Sequence, residues 1–279
     1  MFALTKTLLL ALVLSHCSSS SVPLADPIPQ PLSDGFSVTY IANEGVLISA
    51  GQKQVLIDGL HREYEPEYAF PPPTLLSTLE SARAPYNEID LVLVSHLHGD
   101  HFHPESVGLH LKNNPKATLV SSAQIVDGVK KQFVGFQEIE SRVKQVTPEW
   151  KTSIEYKSDG IRVEVLGLRH GGSNFSWIQN LGHVIEIGGK KLLHIGDADM
   201  TVDNFASFRL HEKGIDIAFI PSWYLFSENG RKFVQEQFAP KHIIAVHVSP
   251  NEAKEVAEQI KKTNPNATVF TKILESKSF

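Results

Sequence analysis

The chain has 279 residues, 42% hydrophobic and 20% charged, enough to bury a full-sized core in one large domain. A formal net charge of −5 leaves no basic excess for nucleic acid, so a small-molecule substrate is expected and a nucleic-acid partner is not. The single cysteine, Cys17, excludes a disulfide within the chain, so the fold must stand on its core.

Residues 1–21, "MFALTKTLLLALVLSHCSSSS", place Lys6 ahead of an apolar stretch at 8–14. That is the shape of a secretory signal, and it is too short to span a bilayer as a mature helix. Leu14-Ser15-His16-Cys17 resembles a bacterial lipoprotein signal, with His16 where such signals carry a small residue. The resemblance implies lipid on Cys17 and a membrane tether; the alternative is ordinary cleavage near Ser19 or Ser20. Either way the expected product is exported, periplasmic or anchored as a lipoprotein, and the mass of the mature N-terminus distinguishes the two. Residues 22–34 read as a linker, with four prolines between 22 and 33.

Residues 35–279 read as one domain. "FSVTYIA", "GVLISA" and "KQVLIDG" form a meander with Gly51 at a turn. Residues 61–73 are an aromatic loop without apolar period, and "TLLSTLESAR" has helical spacing. "IDLVLVS" is a buried strand, and 104–113 suits a helix with Pro104 in its first turn. After the short strand "KATLVSS", Ser121 or Ser122 caps a helix through Lys131. "IRVEVLGL" alternates, and "HVIEIGGKKLLHIGDAD" is a hairpin around Gly188-Gly189. "IDIAFIPSW" and "KHIIAVHVSP" are two more buried strands, with helices at 228–238 and 251–262. The order is strands followed by β-α alternation, twice over, which predicts two βα halves around stacked sheets.

The chemistry gathers where strands end. "LVLVSHLHGDHFHP" at 91–104 packs His96, His98, Asp100, His101 and His103 into eight residues. Later strands lead into His170 in "RHGGS", Asp197 in "GDAD" and His247 after "IIAV". Side chains leaving strand ends through tight loops can meet on one rim. Setting His103 aside, five imidazoles and two carboxylates suit two divalent metals, each keeping an open position. His96 and His98 share a face of an extended segment, and Gly99 lets the chain turn so that Asp100 and His101 face a second metal. No Gly-x-Ser-x-Gly occurs, and no cysteine lies beyond Cys17 to act as a nucleophile.

His-x-His-x-Asp-His at 96–101, with His170, Asp197 and His247 in order, resembles the metallo-β-lactamase superfamily, and "VLIDG" at 55–59 resembles its early strand-end aspartate. The resemblance covers residue 36 to the C-terminus. It implies an α+β fold, a four-layer αββα sandwich with a metal pair at one edge. His96, His98 and His170 would hold the first metal, Asp100, His101 and His247 the second, and Asp197 would bridge. An aspartate bridge points to hydrolysis of a lactone, ester, thioester or phosphodiester, nearest to sugar-phosphate lactonases and phospholipid-cleaving phosphodiesterases. The implied mechanism uses a metal-bridging hydroxide oriented by Asp100 as the catalytic acid–base group. Zinc is the first candidate, with manganese or iron as alternatives. A di-iron redox member and a non-enzymatic metal-binding scaffold on the same fold are the competing readings. Asp58 is expected to support ligands rather than be one, Asp199 to be solvated, and His61, His183, His194 and His242 to be satisfied surface or strand residues. Two aromatic groups, Tyr64, Tyr68 and Phe70, and Trp223, Tyr224 and Phe226, serve either as walls of the mouth or as packing.

Overall fold

Six strands follow the N-terminal side of the domain: β1 (Phe36–Ala42), β2 (Gly45–Ala50), β3 (Lys53–Ile57), β4 (Leu91–Leu93), β5 (Thr118–Ser121) and β6 (Val143–Gln145). Seven more follow: β7 (Ser153–Ser158), β8 (Ile161–Arg169), β9 (Gln179–Ile187), β10 (Lys190–His194), β11 (Ile217–Pro221), β12 (His242–Val246) and β13 (Ala267–Val269). The last strand, β14 (Ser276–Ser278), returns to the first sheet. The computed structural model describes residues 35–279; the export signal and linker expected over residues 1–34 lie outside them.

The strands form two seven-stranded sheets, ordered β14-β1-β2-β3-β4-β5-β6 and β13-β12-β11-β10-β9-β8-β7. Each half repeats one plan. An antiparallel meander, β1-β2-β3 or β7-β8-β9-β10, continues into parallel strands, β3-β4-β5-β6 or β10-β11-β12-β13. Parallel neighbours need crossovers, and helices supply them. These are α1 (Pro73–Glu80), α2 (Pro104–Asn113), α3 (Ala123–Gln132) and α4 (Phe136–Ile139) on the first sheet. On the second they are α5 (Val202–Phe205), α6 (Glu228–Gln237) and α7 (Ala253–Thr263).

The layers follow from which side chains each strand buries. In β2 all six residues are buried. Val46 and Ile48 enter the core between the sheets, where they join Val163, Ile185 and Phe219; Leu47 faces the helices with Leu79, Val107 and Leu111. A third core joins Leu193, Ile220 and Ala245 to Phe205, Val234 and Ile260. Three cores between four layers make the expected αββα sandwich. Ser122 caps α3 by accepting from the Ile125 amide at 3.5 Å, and Pro104 opens α2 where its missing N–H costs nothing.

Candidate metal centre

The site lies at one rim of the sandwich, where the ends of β3, β4, β8, β10 and β12 meet the β1–β2 turn. Three side chains there leave left-handed backbone, Asn43 (φ 51°), Asp58 (φ 44°) and His247 (φ 54°). Such non-glycine strain persists only where the surroundings hold it. Gly196 (φ 53°) precedes Asp197, and a Cβ there would lie 2.6 Å from Asn180 Oδ1 and 2.8 Å from Ser95 Cβ. The loops after β8 and β10 are joined by a bridge between His170 and Ala198, and the Gly171 amide donates to the Asp197 carbonyl at 2.7 Å.

The seven side chains singled out in the sequence come together. His96, His98, His170 and Asp197 form one group, and Asp100, His101 and His247 another, each with ligand atoms within 4.8 Å of one another. Asp197 touches both. Its Oδ2 lies 3.7 Å from His170 Nε2, 4.0 Å from His96 Nε2 and 3.5 Å from His247 Nε2, and its Oδ1 is 3.6 Å from His101 Nε2. Asp100 Oδ2 faces His247 Nε2 at 3.3 Å and His101 Nε2 at 3.4 Å.

Whether this set fits a cation is answered by where its protons go. His101 Nδ1 donates to Asp58 Oδ2 at 2.9 Å, and His170 Nδ1 donates to the Gly171 carbonyl at 2.6 Å. The Ser95 hydroxyl donates to Asp58 Oδ2, so it accepts from His96 Nδ1 at 3.0 Å. These outer bonds place the lone pair of Nε2 in all three rings toward the cluster. His98 turns Nδ1 inward instead, 3.0 Å from His96 Nε2. His101 Nε2, His170 Nε2 and Asp197 Oδ1 are buried without a hydrogen-bond partner. Orphaned acceptors aimed at one another are what a cation satisfies. The electrostatics agree. Burial alone would depress the His247 ring, yet Asp197 and Asp100 push it up to about 10. Burial likewise opposes charge on His101, but Asp197, Asp100 and Asp58 raise it well above the usual histidine range. Burial would raise the Asp100 carboxyl, but His101 and His247 hold it far below the carboxylate range. The pocket therefore demands positive charge beside two ionised carboxylates.

Some neighbours follow expectation and others depart from it. Asp58 supports His101, as expected, and also accepts from the Ser95 amide at 2.7 Å. His61 is not a satisfied surface residue: it is buried, with neither ring nitrogen bonded. His183 and His194 are strand residues, as expected; His194 accepts from the Gly196 amide at 3.2 Å, whereas His183 is buried without a partner. His103 sits at the N-terminus of α2 with Nδ1 3.4 Å from the Ser106 hydroxyl. Tyr224 is core, fully buried with its hydroxyl donating to the Ala198 carbonyl at 2.7 Å; the seat after β11 puts its ring inward and the Trp223 ring outward. Trp223 and Tyr68 stand edge-on to His247, with ring centroids 4.9 and 5.2 Å away.

Three neighbours lie outside the sequence reading. Asn43 Nδ2 donates to Asp100 Oδ2 at 2.9 Å. Glu44 is fully buried beneath the cluster with both carboxyl oxygens unbonded, and burial, then Asp197, raises it well above the carboxylate range. Its Oε2 lies 3.5 Å from His194 Nε2, which carries the proton because Nδ1 accepts from the Gly196 amide. Phe175 stands edge-on to His98 and His170 at 4.9 and 5.1 Å. A turn sequence "NEG" and a glycine-serine loop carry no local signal for these roles.

Two stacked mixed sheets with a histidine–aspartate cluster at one rim are the architecture of the metallo-β-lactamase fold. The chain belongs to the beta-lactamase superfamily: the model of the beta-lactamase superfamily domain matches residues 55–271. A metal-dependent hydrolase of Thermus thermophilus is 28% identical over 222 residues, 75% of this chain and 82% of that protein. The structure of a possible metal-dependent hydrolase from Veillonella parvula superposes with a TM-score of 0.61 at 15% identity, over 88% of this chain and 100% of that one. YhfI of Bacillus subtilis, a metallo-beta-lactamase fold protein, gives 0.58 at 14% identity, over 88% of this chain and 100% of that one.

Proposed function

We propose that the protein hydrolyses an ester, lactone, thioester or phosphodiester with two divalent metals, zinc first among them. His96, His98 and His170 would hold one ion and Asp100, His101 and His247 the other, with Asp197 shared. The observation that carries this is the position of Asp197, in reach of imidazoles from both groups. When bound, such a pair supplies Lewis acidity and a water acidified toward a pKa of about 7. The protein's own groups do the rest. Asn43 fixes Asp100 through Oδ2, and His101 and His247 face the same oxygen. We assign that oxygen to metal binding and the other to taking the proton from the attacking water and returning it to the leaving group. Buried ring N–H bonds to Asp58, Ser95 and Gly171 keep His101, His96 and His170 in one tautomer.

Asp100→Asn tests the assignment. It keeps size and one ligand oxygen but removes the charge. With metal saturating, kcat should fall by roughly 10²- to 10⁴-fold, the range for a positioned acid–base group. Metal content is measured on the same sample. A variant holding two metals and hydrolysing at the wild-type rate removes Asp100 from the chemistry.

A further inference from the structure

Large aromatic side chains stand at the rim around the cluster where solvent reaches it. Phe175 covers the His98 and His170 side and is 40% exposed. Trp223, 38% exposed, and Tyr68 cover the His247 side, and Tyr64 stacks on Tyr68 at 6.2 Å while lying across Gly99. Beside Trp223 a cavity of about 310 Å³ opens against His170 and Asp197, with Met200 and Trp223 on its sides. Phe175 packs on Gly172 at its edge. Large apolar side chains left in water mark a surface that something apolar covers. Among the described residues lining this cavity there is no lysine or arginine, and Asp199 adds a carboxylate to it. A second anionic group on a substrate would find no partner there.

We propose that this cavity takes the apolar chain of an uncharged acyl substrate, an ester, lactone or thioester, so that Trp223, Met200 and Phe175 determine specificity. The proposal rests on the hydrolase reading above. In the reaction, water oxygen bonds to the acyl carbon, the C–O or C–S bond breaks, and the leaving alkoxide or thiolate takes the proton. The acid product keeps its chain in the cavity. A phosphodiester, charged at the reacting group itself, gains nothing from these walls.

The test uses the metal-loaded full chain and two series. In the first, kcat/KM is measured for p-nitrophenyl esters of two to ten acyl carbons, beside bis-p-nitrophenyl phosphate. In the second, binding of straight-chain carboxylates of the same lengths is followed by calorimetry. Both kcat/KM and affinity should rise about two- to fourfold per added carbon until the cavity fills, as expected for partly buried methylenes. Trp223→Ala and Met200→Thr should flatten both slopes. Met200 is 37% exposed, so its replacement tests the wall without disturbing the core. A flat chain-length profile with active enzyme, or faster turnover of the phosphodiester than of every ester, overturns the proposal. Steep chain-length dependence of binding with no turnover of any compound supports the cavity assignment and overturns the hydrolase reading instead.

Discussion

Asp58 spends its whole carboxylate on two neighbours. Oδ1 accepts from the Ser95 amide, and Oδ2 accepts from the Ser95 hydroxyl and His101 Nδ1. Asp58→Asn would turn an N–H toward the His101 N–H or leave Ser95 without an acceptor. The first outcome favours the tautomer that takes the lone pair away from the cluster, and the second leaves the buried Ser95 amide unpaired beside His96. Metal affinity at the site of His101 should therefore fall about 10- to 100-fold, the usual consequence of losing such a partner. Competition with a chromophoric chelator measures it, and unchanged affinity would sink the tautomer argument. The clustering of these side chains was legible because imidazole and carboxylate at strand ends have few other uses at that density. Asn43 and Glu44 were not: their roles come from the β1–β2 turn docking on the cluster, where the His247 amide donates to the Asn43 carbonyl at 3.2 Å. Nothing within a few residues of that turn announces the contact.

At the scale of elements, what could be read was what repeats locally. The helix at 104–113 and the cap at Ser122 appear where periodicity and hydroxyl placed them. The short strands β6, β13 and β14 were not read, because three residues outside an apolar run carry no pattern and β14 is defined by pairing with β1 at the far end of the domain. Packing between helices also hides a titratable group. His110 of α2 is buried and donates from Nδ1 to the Leu79 carbonyl at the end of α1, at 2.6 Å. Burial lowers its pKa to about 4. The unfolded chain, titrating near 6.5, then binds more protons than the folded one between those values. The stabilising contribution is therefore complete above about pH 6.5 and is lost as pH falls toward 4. His110 alone should cost about 2 kcal/mol between pH 7 and pH 5. His110→Asn keeps a donor for Leu79 but cannot titrate. Its denaturation midpoint should be lower at pH 7 and should fall less steeply with acid. A variant whose pH slope matches the wild type would show that His110 does not titrate in this range.

Across the whole molecule the cluster is assembled from both halves of the sandwich. His96, His98, Asp100 and His101 follow β4 of the first sheet, while His170, Asp197 and His247 follow β8, β10 and β12 of the second. Each metal proposed above would take ligands from both sheets, so the ions would tie the layers together at a rim where the inter-sheet core ends. Removing them returns Asp100 and Asp197 to a buried setting with only histidine protons to balance them. A site occupied at about 100 times its Kd adds roughly 2.7 kcal/mol to folding. For a domain of this size each kcal/mol moves Tm by about 2–4 °C. Two such sites should thus raise Tm by on the order of 10 °C over chelator-treated protein, with the gap widening as free metal rises. The measurement is thermal melting of one preparation before chelation, after it, and after reloading with zinc, with metal content determined at each stage. His170→Ala, from the second sheet, should recover much less of the gap on reloading than wild type, because it opens the group shared through Asp197. A melting temperature unmoved while the metal content falls from two to zero would mean that the sandwich holds its rim closed without the ions.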